Sequence, residues 1–233
     1  MVEQDDGGRV RDYLQNLYGA DPFQTVYEAS NTHRENHARV LSGGAQECGV
    51  YPSEALKMRV LATLVQAASA KRILEIGCGL GYSALWLADA AGPDSTVETI
   101  ERFPEHAELA CGFAAEFALG ERIRVLLGEG DVILAGLEGQ YDVIHDDGWF
   151  GLQPPYYERV VELLRPGGLW ILSNWFLLDQ AITGKTTMDW AQFAGPQWAD
   201  DVKAYAETLM SDPRLYVSYI MQPSWIALAY KRL

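Results

Sequence analysis

The segment from Arg72 to Ala88 constrains this chain more than any other. An apolar run, Arg72-Ile73-Leu74-Glu75-Ile76, breaks into glycines at 77, 79 and 81 and reopens as Tyr82-Ser83-Ala84-Leu85-Trp86-Leu87-Ala88. That pattern predicts a strand, a tight turn and a helix N-terminus. The glycines permit positive φ and close approach of a ligand to the backbone, and the first N–H groups of the helix point at any negative group held there. A Gly-x-Gly pattern alone also closes ordinary strand-helix units, so further residues must decide. Glu75 precedes the turn, and Glu101 follows the next apolar strand, Thr96-Val97-Glu98-Thr99-Ile100. A carboxylate at the tip of the second strand of a doubly wound sheet accepts hydrogen bonds from ribose hydroxyls, so the ligand is expected to carry a nucleoside. The dinucleotide fingerprint spaces its third glycine two residues after the second; here only one residue intervenes.

The rest of the chain repeats the alternation of strand and helix. Strands are predicted over 72–76, 96–100, 123–127, 141–146 and 169–173, with helices around 83–91, 104–119, 130–137 and 155–164. This is the βαβ pattern of a parallel sheet covered on both faces. Helices are expected before it, over about 9–40 with Asp21-Pro22 as a start signal, and after Pro52-Ser53-Glu54, where Leu56, Val60, Leu61, Leu64 and Val65 share a face. Beyond residue 173 the pattern changes to an irregular stretch and a helix near 198–210. Strands over 215–221 and 225–230 follow, antiparallel because only Gln222-Pro223-Ser224 joins them. A chain of 233 residues with 48% hydrophobic content can bury one full core. No apolar run reaches the roughly 20 residues of a bilayer span, and the acidic start Met1-Val2-Glu3-Gln4-Asp5-Asp6 lacks a secretory core, so the cytoplasm is expected. The formal net charge of −14 disfavours a nucleic-acid partner. Cys48, Cys78 and Cys111 are not paired in sequence and are read as free thiols.

With these residues in view, Leu74-Glu75-Ile76-Gly77-Cys78-Gly79-Leu80-Gly81-Tyr82-Ser83 resembles the first motif of class I S-adenosylmethionine-dependent methyltransferases. Tyr141 to Phe150, Pro155-Tyr156-Tyr157-Glu158, Leu164-Arg165-Pro166-Gly167-Gly168 and Asp212-Pro213-Arg214 are similar to the catechol and caffeoyl-coenzyme A O-methyltransferases. So is Asp21 to Ala29. The resemblance implies an α/β, Rossmann-like fold with a seven-stranded, mostly parallel sheet, an antiparallel last strand and helices on both faces. It implies a single domain, with residues 1–50 as a helical cap and 51–233 as the core. Gly77, Gly79 and Tyr82 would border the methionine part of the cofactor, with Glu75 just before them and Gly49 and Val50 covering that end. Ser83 would bind its carboxylate or cap the helix. Glu101 would take the ribose hydroxyls, and Glu129 would lie near the adenine amine or stand as an exposed loop acid. Asp147 would sit at the tip of strand four beside the reacting methyl.

Two positions depart from the family. The relatives bind magnesium through an acid at the tip of strand four and an Asp-Asn pair after strand five. Here Asp147 and Asn174 match, but Ser173 replaces the middle acid. A site short of one carboxylate holds magnesium poorly, so the expectation is a reaction without a metal. Should a cation bind, Asp147 and Asn174 are its ligands, with Asp146 or Asp179 as further donors. The family lysine that helps deprotonate the hydroxyl is replaced by Phe150. Candidate proton acceptors are His145 at the strand end, His33 and His37 at i and i+4 on a helix expected to cover the site, and Lys185. Trp149, Phe150 and Trp175 follow strand tips and are expected to line an apolar acceptor pocket. The reading is S-adenosylmethionine-dependent O-methylation of a small, aromatic hydroxyl compound. Methylation of another atom, methylation of a modified tRNA base, and non-catalytic S-adenosylmethionine binding are the alternatives. An apolar stripe, Tyr13, Leu14, Leu17 and Tyr18, points to a homodimer.

Overall fold

A computed structural model describes residues 13–14, 16–41, 50–148, 154–186, 190–221 and 225–233. Its strands are β1 (Arg72–Ile76), β2 (Thr96–Glu101), β3 (Ile123–Leu127), β4 (Tyr141–Asp146), β5 (Leu164–Leu172), β6 (Leu215–Ile220) and β7 (Ile226–Lys231). They form one sheet in the order β3-β2-β1-β4-β5-β7-β6. β1 to β5 pair in parallel, whereas β7 runs antiparallel to both β5 and β6. Strand order reverses at β1, which lies between β2 and β4. The carboxyl ends of the strands on either side of such a reversal form the crevice where α/β sheets bind ligands.

The helices are α1 (Gln24–Leu41), α2 (Ala55–Ala67), α3 (Tyr82–Ala91), α4 (Pro104–Glu116), α5 (Gly130–Gly136), α6 (Pro154–Leu163), α7 (Phe176–Thr183), α8 (Trp190–Ala194) and α9 (Trp198–Ser211). Alternation along the strands divides the core. Ile73, Val97, Val143 and Ile171 pack with Met58 and Leu61 of α2 and Leu85 of α3 on one face. Leu74, Ile144, Trp170 and Leu172 pack with Tyr156 and Val160 of α6 and Tyr205 of α9 on the other. The expected order of strands and helices is present, with two local differences. β5 begins at Leu164 rather than 169, because pairing with β4 continues across a register shift between Tyr141 and Val143. The stretch after residue 173, expected to be irregular, forms the short helices α7 and α8. The turn over 222–224 lies outside the described residues.

Asp21 supports the predicted helix start. Its carboxylate accepts the Phe23 N–H at 2.9 Å and the Tyr82 hydroxyl at 2.5 Å. Phe23 and Val26 are buried against Trp86, Phe117 and their neighbours. Burying each stabilises the attachment of α1 by about 1.5–3 kcal/mol. No helix among the described residues is long and apolar enough to cross a membrane.

Candidate active site

The turn after β1 packs tightly against its own protein. Gly77 has φ 96°, and a Cβ there would meet the backbone of Asp147 and Gly148 at 3.1 and 3.2 Å. Gly81 has φ 89° and would meet Ala110 of α4 at 3.2 Å. Only at Gly79 is there room, with Val50 at 3.9 Å. Close approach by a ligand was the expected reason for all three glycines. At 77 and 81 the crowding atoms belong to the protein, which locks the turn to the tip of β4 and to α4. Gly81 is the N-cap of α3 and has no side-chain cap hydrogen bond. Ser83 therefore lies inside the first turn rather than at the cap, with the amide donors of the helix start beside it. Tyr82 turns its hydroxyl to Asp21, and burial together with that carboxylate raises its pKa. Burial, with Glu75 nearby, likewise raises the Cys78 thiol. Among the described residues Cys78 and Cys111 are free thiols.

Glu101 ends β2 with its carboxylate oriented by two amides. It accepts the Gly79 N–H and the Phe103 N–H, each at 2.9 Å, and lies 3.6 Å from Nδ1 of His106. Such fixed orientation suits an acid that receives hydroxyl donors. An oriented acid at the β2 tip, space above Gly79 and a helix N-terminus beside Ser83 together fit S-adenosylmethionine, which carries ribose hydroxyls and a carboxylate. Glu129 is exposed at the N-cap of α5. Val50 is buried against Leu80.

Glu75 departs from its expected place at the cofactor. Alternation turns it onto the α2/α3 face, where it is wholly buried. Its Oε2 accepts the Thr99 hydroxyl at 2.6 Å, and its Oε1 lies 3.1 Å from Nδ1 of His145. His145 is wholly buried too, and its Nε2 lies 3.0 Å from Oγ of Ser173. Thr99, Glu75, His145 and Ser173 thus form one polar row across β2, β1, β4 and the end of β5. Each buried polar group in the row has a partner, as a sheet covered on both faces requires. His145 touches no surface itself. Ser173, partly exposed, is the member of the row that solvent reaches.

Asp146 points to the opposite face, as alternation predicts. Burial raises its pKa to about 8, the N–H of Gly148 opposes the shift, and Asp147 adds to it. Oδ1 accepts that N–H at 3.2 Å, and Oδ2 is buried without a hydrogen bond. Asp147 follows the strand, its N–H bonded to the Ile76 carbonyl at 2.9 Å. Its Oδ1 accepts the Asn174 amide at 3.0 Å and lies 3.8 Å from Nζ of Lys57. Magnesium needs several oxygen ligands and favours carboxylates. The described residues offer it one carboxylate already facing two N–H donors, and a serine hydroxyl engaged with His145. This donor set does not fit magnesium.

Lys57 escaped the sequence reading. It lies four residues before Leu61 on α2, so it shares the buried face, and a lysine on an apolar face is the signal that could have found it. His33 and His37 of α1 lie beside Glu105 and His106 at the start of α4, close to Glu101 rather than joined to Asp147 or Ser173. Burial, with His37 and His106 adding to it, lowers the His33 pKa. Trp175 packs into the core, stacked on Tyr205 with ring centroids 5.9 Å apart and edge-on to Tyr219. Lys185 and Asp179 are exposed. Gly49, Trp149 and Phe150 lie outside the described residues.

A family model described as O-methyltransferase matches residues 48–232. The chain belongs to the O-methyltransferase family. A catechol O-methyltransferase from Mycobacterium tuberculosis is 30% identical over 138 residues, which are 59% of this chain and 63% of that protein. The chain spans about half the length of other curated mycobacterial relatives that it matches. An O-methyltransferase of Streptomyces achromogenes involved in tomaymycin synthesis, solved with S-adenosylmethionine, superposes with a TM-score of 0.77. It is 24% identical and 100% of both chains is covered. A Podospora anserina methyltransferase bound to S-adenosylhomocysteine gives a TM-score of 0.82 at 20% identity, covering 100% of this chain and 98% of that one. These likenesses establish the family's fold: a mostly parallel seven-stranded sheet with β7 reversed.

Proposed function

We propose that this chain is an S-adenosylmethionine-dependent O-methyltransferase acting on a hydroxyl of a small aromatic acceptor, and that Ser173 and His145 remove the acceptor's proton. The observation that carries this reading is the row Ser173–His145–Glu75, at distances of 3.0 and 3.1 Å, ending where the family's metal-binding acid would stand. Gly77, Gly79, Tyr82, Ser83 and Glu101 would hold the cofactor, with Gly49, Val50 and Glu129 around it. Bound there, S-adenosylmethionine supplies an electrophilic methyl group on a sulfonium.

The residues of the chain then have separate tasks. A phenol with a pKa near 10 is a weak nucleophile at neutral pH until a base takes its proton. The acceptor proton passes to Oγ of Ser173 as the serine proton passes to Nε2 of His145. Glu75 holds the proton on Nδ1 and stabilises the imidazolium, as an acid behind a catalytic histidine does. Thr99 fixes the carboxylate of Glu75. Asp147, braced by Lys57 and Asn174, positions the reactants at the strand tip. Trp149 and Phe150 would close the acceptor pocket, with Trp175 supporting it from the core.

The same reading takes the chain as one domain, a cap over residues 1–50 on a core over 51–233, working in the cytoplasm. The exposed Tyr13, Leu17 and Tyr18 support a homodimer as its working form. Turnover tests the activity. Incubation with S-adenosylmethionine and a panel of phenols should yield S-adenosylhomocysteine and a methyl ether in equal amounts by mass spectrometry. Cofactor binding without turnover on hydroxyl acceptors would favour the non-catalytic alternative, and product methylated on nitrogen would overturn the oxygen assignment.

A further inference from the structure

The imidazoles of α1 have no part in the proposed proton path, yet they are organised. His33 and His37 lie one helical turn apart with ring centroids separated by 4.2 Å. Glu105, in the first turn of α4, turns toward them, its Oε2 lying 3.7 Å from Nε2 of His37. One ligand atom from each of the three residues lies within 4.8 Å of the others. Nε2 of His33 is buried without a hydrogen-bond partner. Leaving a buried polar atom unpaired is destabilising, and a cation that takes its lone pair removes that cost.

We infer that His33, His37 and Glu105 form a binding site for one divalent transition-metal cation of the zinc class, joining α1 to the start of α4. Two imidazole nitrogens and one carboxylate are ligands that zinc, cobalt and nickel share, whereas magnesium and calcium favour oxygen alone. Histidines at i and i+4 present both rings to one ion, as in other helical zinc sites. Zinc–ligand distances of about 2.0–2.2 Å set tetrahedral edges of about 3.3 Å, so ligand atoms within 4.8 Å of one another must draw together by up to about 1.5 Å. Glu105 is exposed and free to make most of that movement. A water would complete the tetrahedron. His106 packs edge-on against His33 at 5.0 Å and lies 3.6 Å from Glu101, so the ion would sit behind the imidazole that borders the ribose acid. The cation would fix the middle of α1, whose start is already held by Phe23 and Val26, over the cofactor crevice.

Cobalt(II) titration of the full chain tests the site with a readout independent of catalysis. One equivalent should bind and give visible d–d bands without thiolate charge-transfer absorption. His37→Gln and Glu105→Gln, each checked for folding by circular dichroism, should weaken binding by more than the roughly 10- to 100-fold that loss of an outer partner costs. Asp147→Asn should leave the bands unchanged, and zinc should slow amide exchange along α1. Absence of saturable binding, or bands that survive both His37→Gln and Glu105→Gln, would overturn the proposal.

Discussion

Nδ1 of His145 lies 3.1 Å from Oε1 of Glu75 with both side chains wholly excluded from solvent. A charge separated inside this pair is therefore unscreened by water, and among the described residues Ser173 connects it to the crevice. In the proposed mechanism the serine hydroxyl is the point at which a proton enters or leaves the buried pair.

Ser173→Ala should accordingly lower kcat by on the order of 100-fold, the lower end of general-base contributions, while the affinity for S-adenosylmethionine stays within about twofold. The variant leaves the buried Nε2 of His145 without its partner, so its folding is checked by circular dichroism before the kinetics are compared. Steady-state kinetics with calorimetry of cofactor binding decides it. An unchanged kcat would remove the polar row from the mechanism.

Glu101→Ala should weaken S-adenosylmethionine binding by about 1.5–3 kcal/mol, the range for hydrogen bonds to a charged group. Glu101→Gln should recover part of the loss, since one carbonyl oxygen still accepts the Gly79 amide. Equal affinity in wild type and the folded alanine variant, measured by calorimetry, would take Glu101 out of the site.

Chelation distinguishes the two ways of activating a hydroxyl. Turnover on an accepted substrate should survive excess EDTA, because Asp147 already faces Lys57 and Asn174. Ser173→Asp should create measurable magnesium binding by restoring a carboxylate, and should also sever the hydroxyl link to His145. Activity lost in EDTA and regained with magnesium would refute the metal-free mechanism.

Asp146 gives the fold a pH dependence of definite sign. Its folded pKa, pushed up to about 8 by burial, lies above the unfolded carboxylate value, so the native state binds more protons between the two. Its contribution to stability is full below about pH 4 and is lost as pH rises through about 8. Asp146→Asn should therefore stabilise the fold near pH 8 by on the order of 1–3 kcal/mol and flatten this part of the profile. Denaturant unfolding at pH 6 and 8 measures both slopes; parallel profiles for the two proteins would contradict the assignment.

The homodimer is checked by light scattering at micromolar concentration, where the proposal expects twice the 25.9 kDa chain mass. Tyr13→Ser with Leu17→Ser should return it to the monomer. A wild-type protein of 25.9 kDa would dismiss the dimer.

Much of the fold is legible because its signals are local. The glycine turn, the five parallel strands with the four helices between them and the reversed last strand each follow from a few adjacent residues. The site is legible where one residue carries the signal, as Glu101 does at a strand tip. It is obscure where register decides. Glu75 was expected at the cofactor because it adjoins the glycines, but pairing with Thr99 and His145 on neighbouring strands turns it into the row. Lys57 reaches Asp147 only through the packing of α2 on the sheet, a relationship between positions 90 residues apart in sequence. His33 and His37 were recognised as one helical face, and the landing place of that face beside α4 required the tertiary structure.

β7 lies inside the sheet between β5 and β6, although it follows both of them in the sequence. On the ribosome β5 therefore keeps an open edge, and β6 has no sheet to join, until residues 226–231 have emerged. Lys231 completes the closure by donating to the carbonyls of Val161 and Leu164 at 2.6 and 2.7 Å. Nascent chains stalled before this point would present a strand edge to one another, the usual route to edge-to-edge aggregation. Expression yield of this protein should thus be governed by the emergence of residues 226–231, far in sequence from the glycine turn.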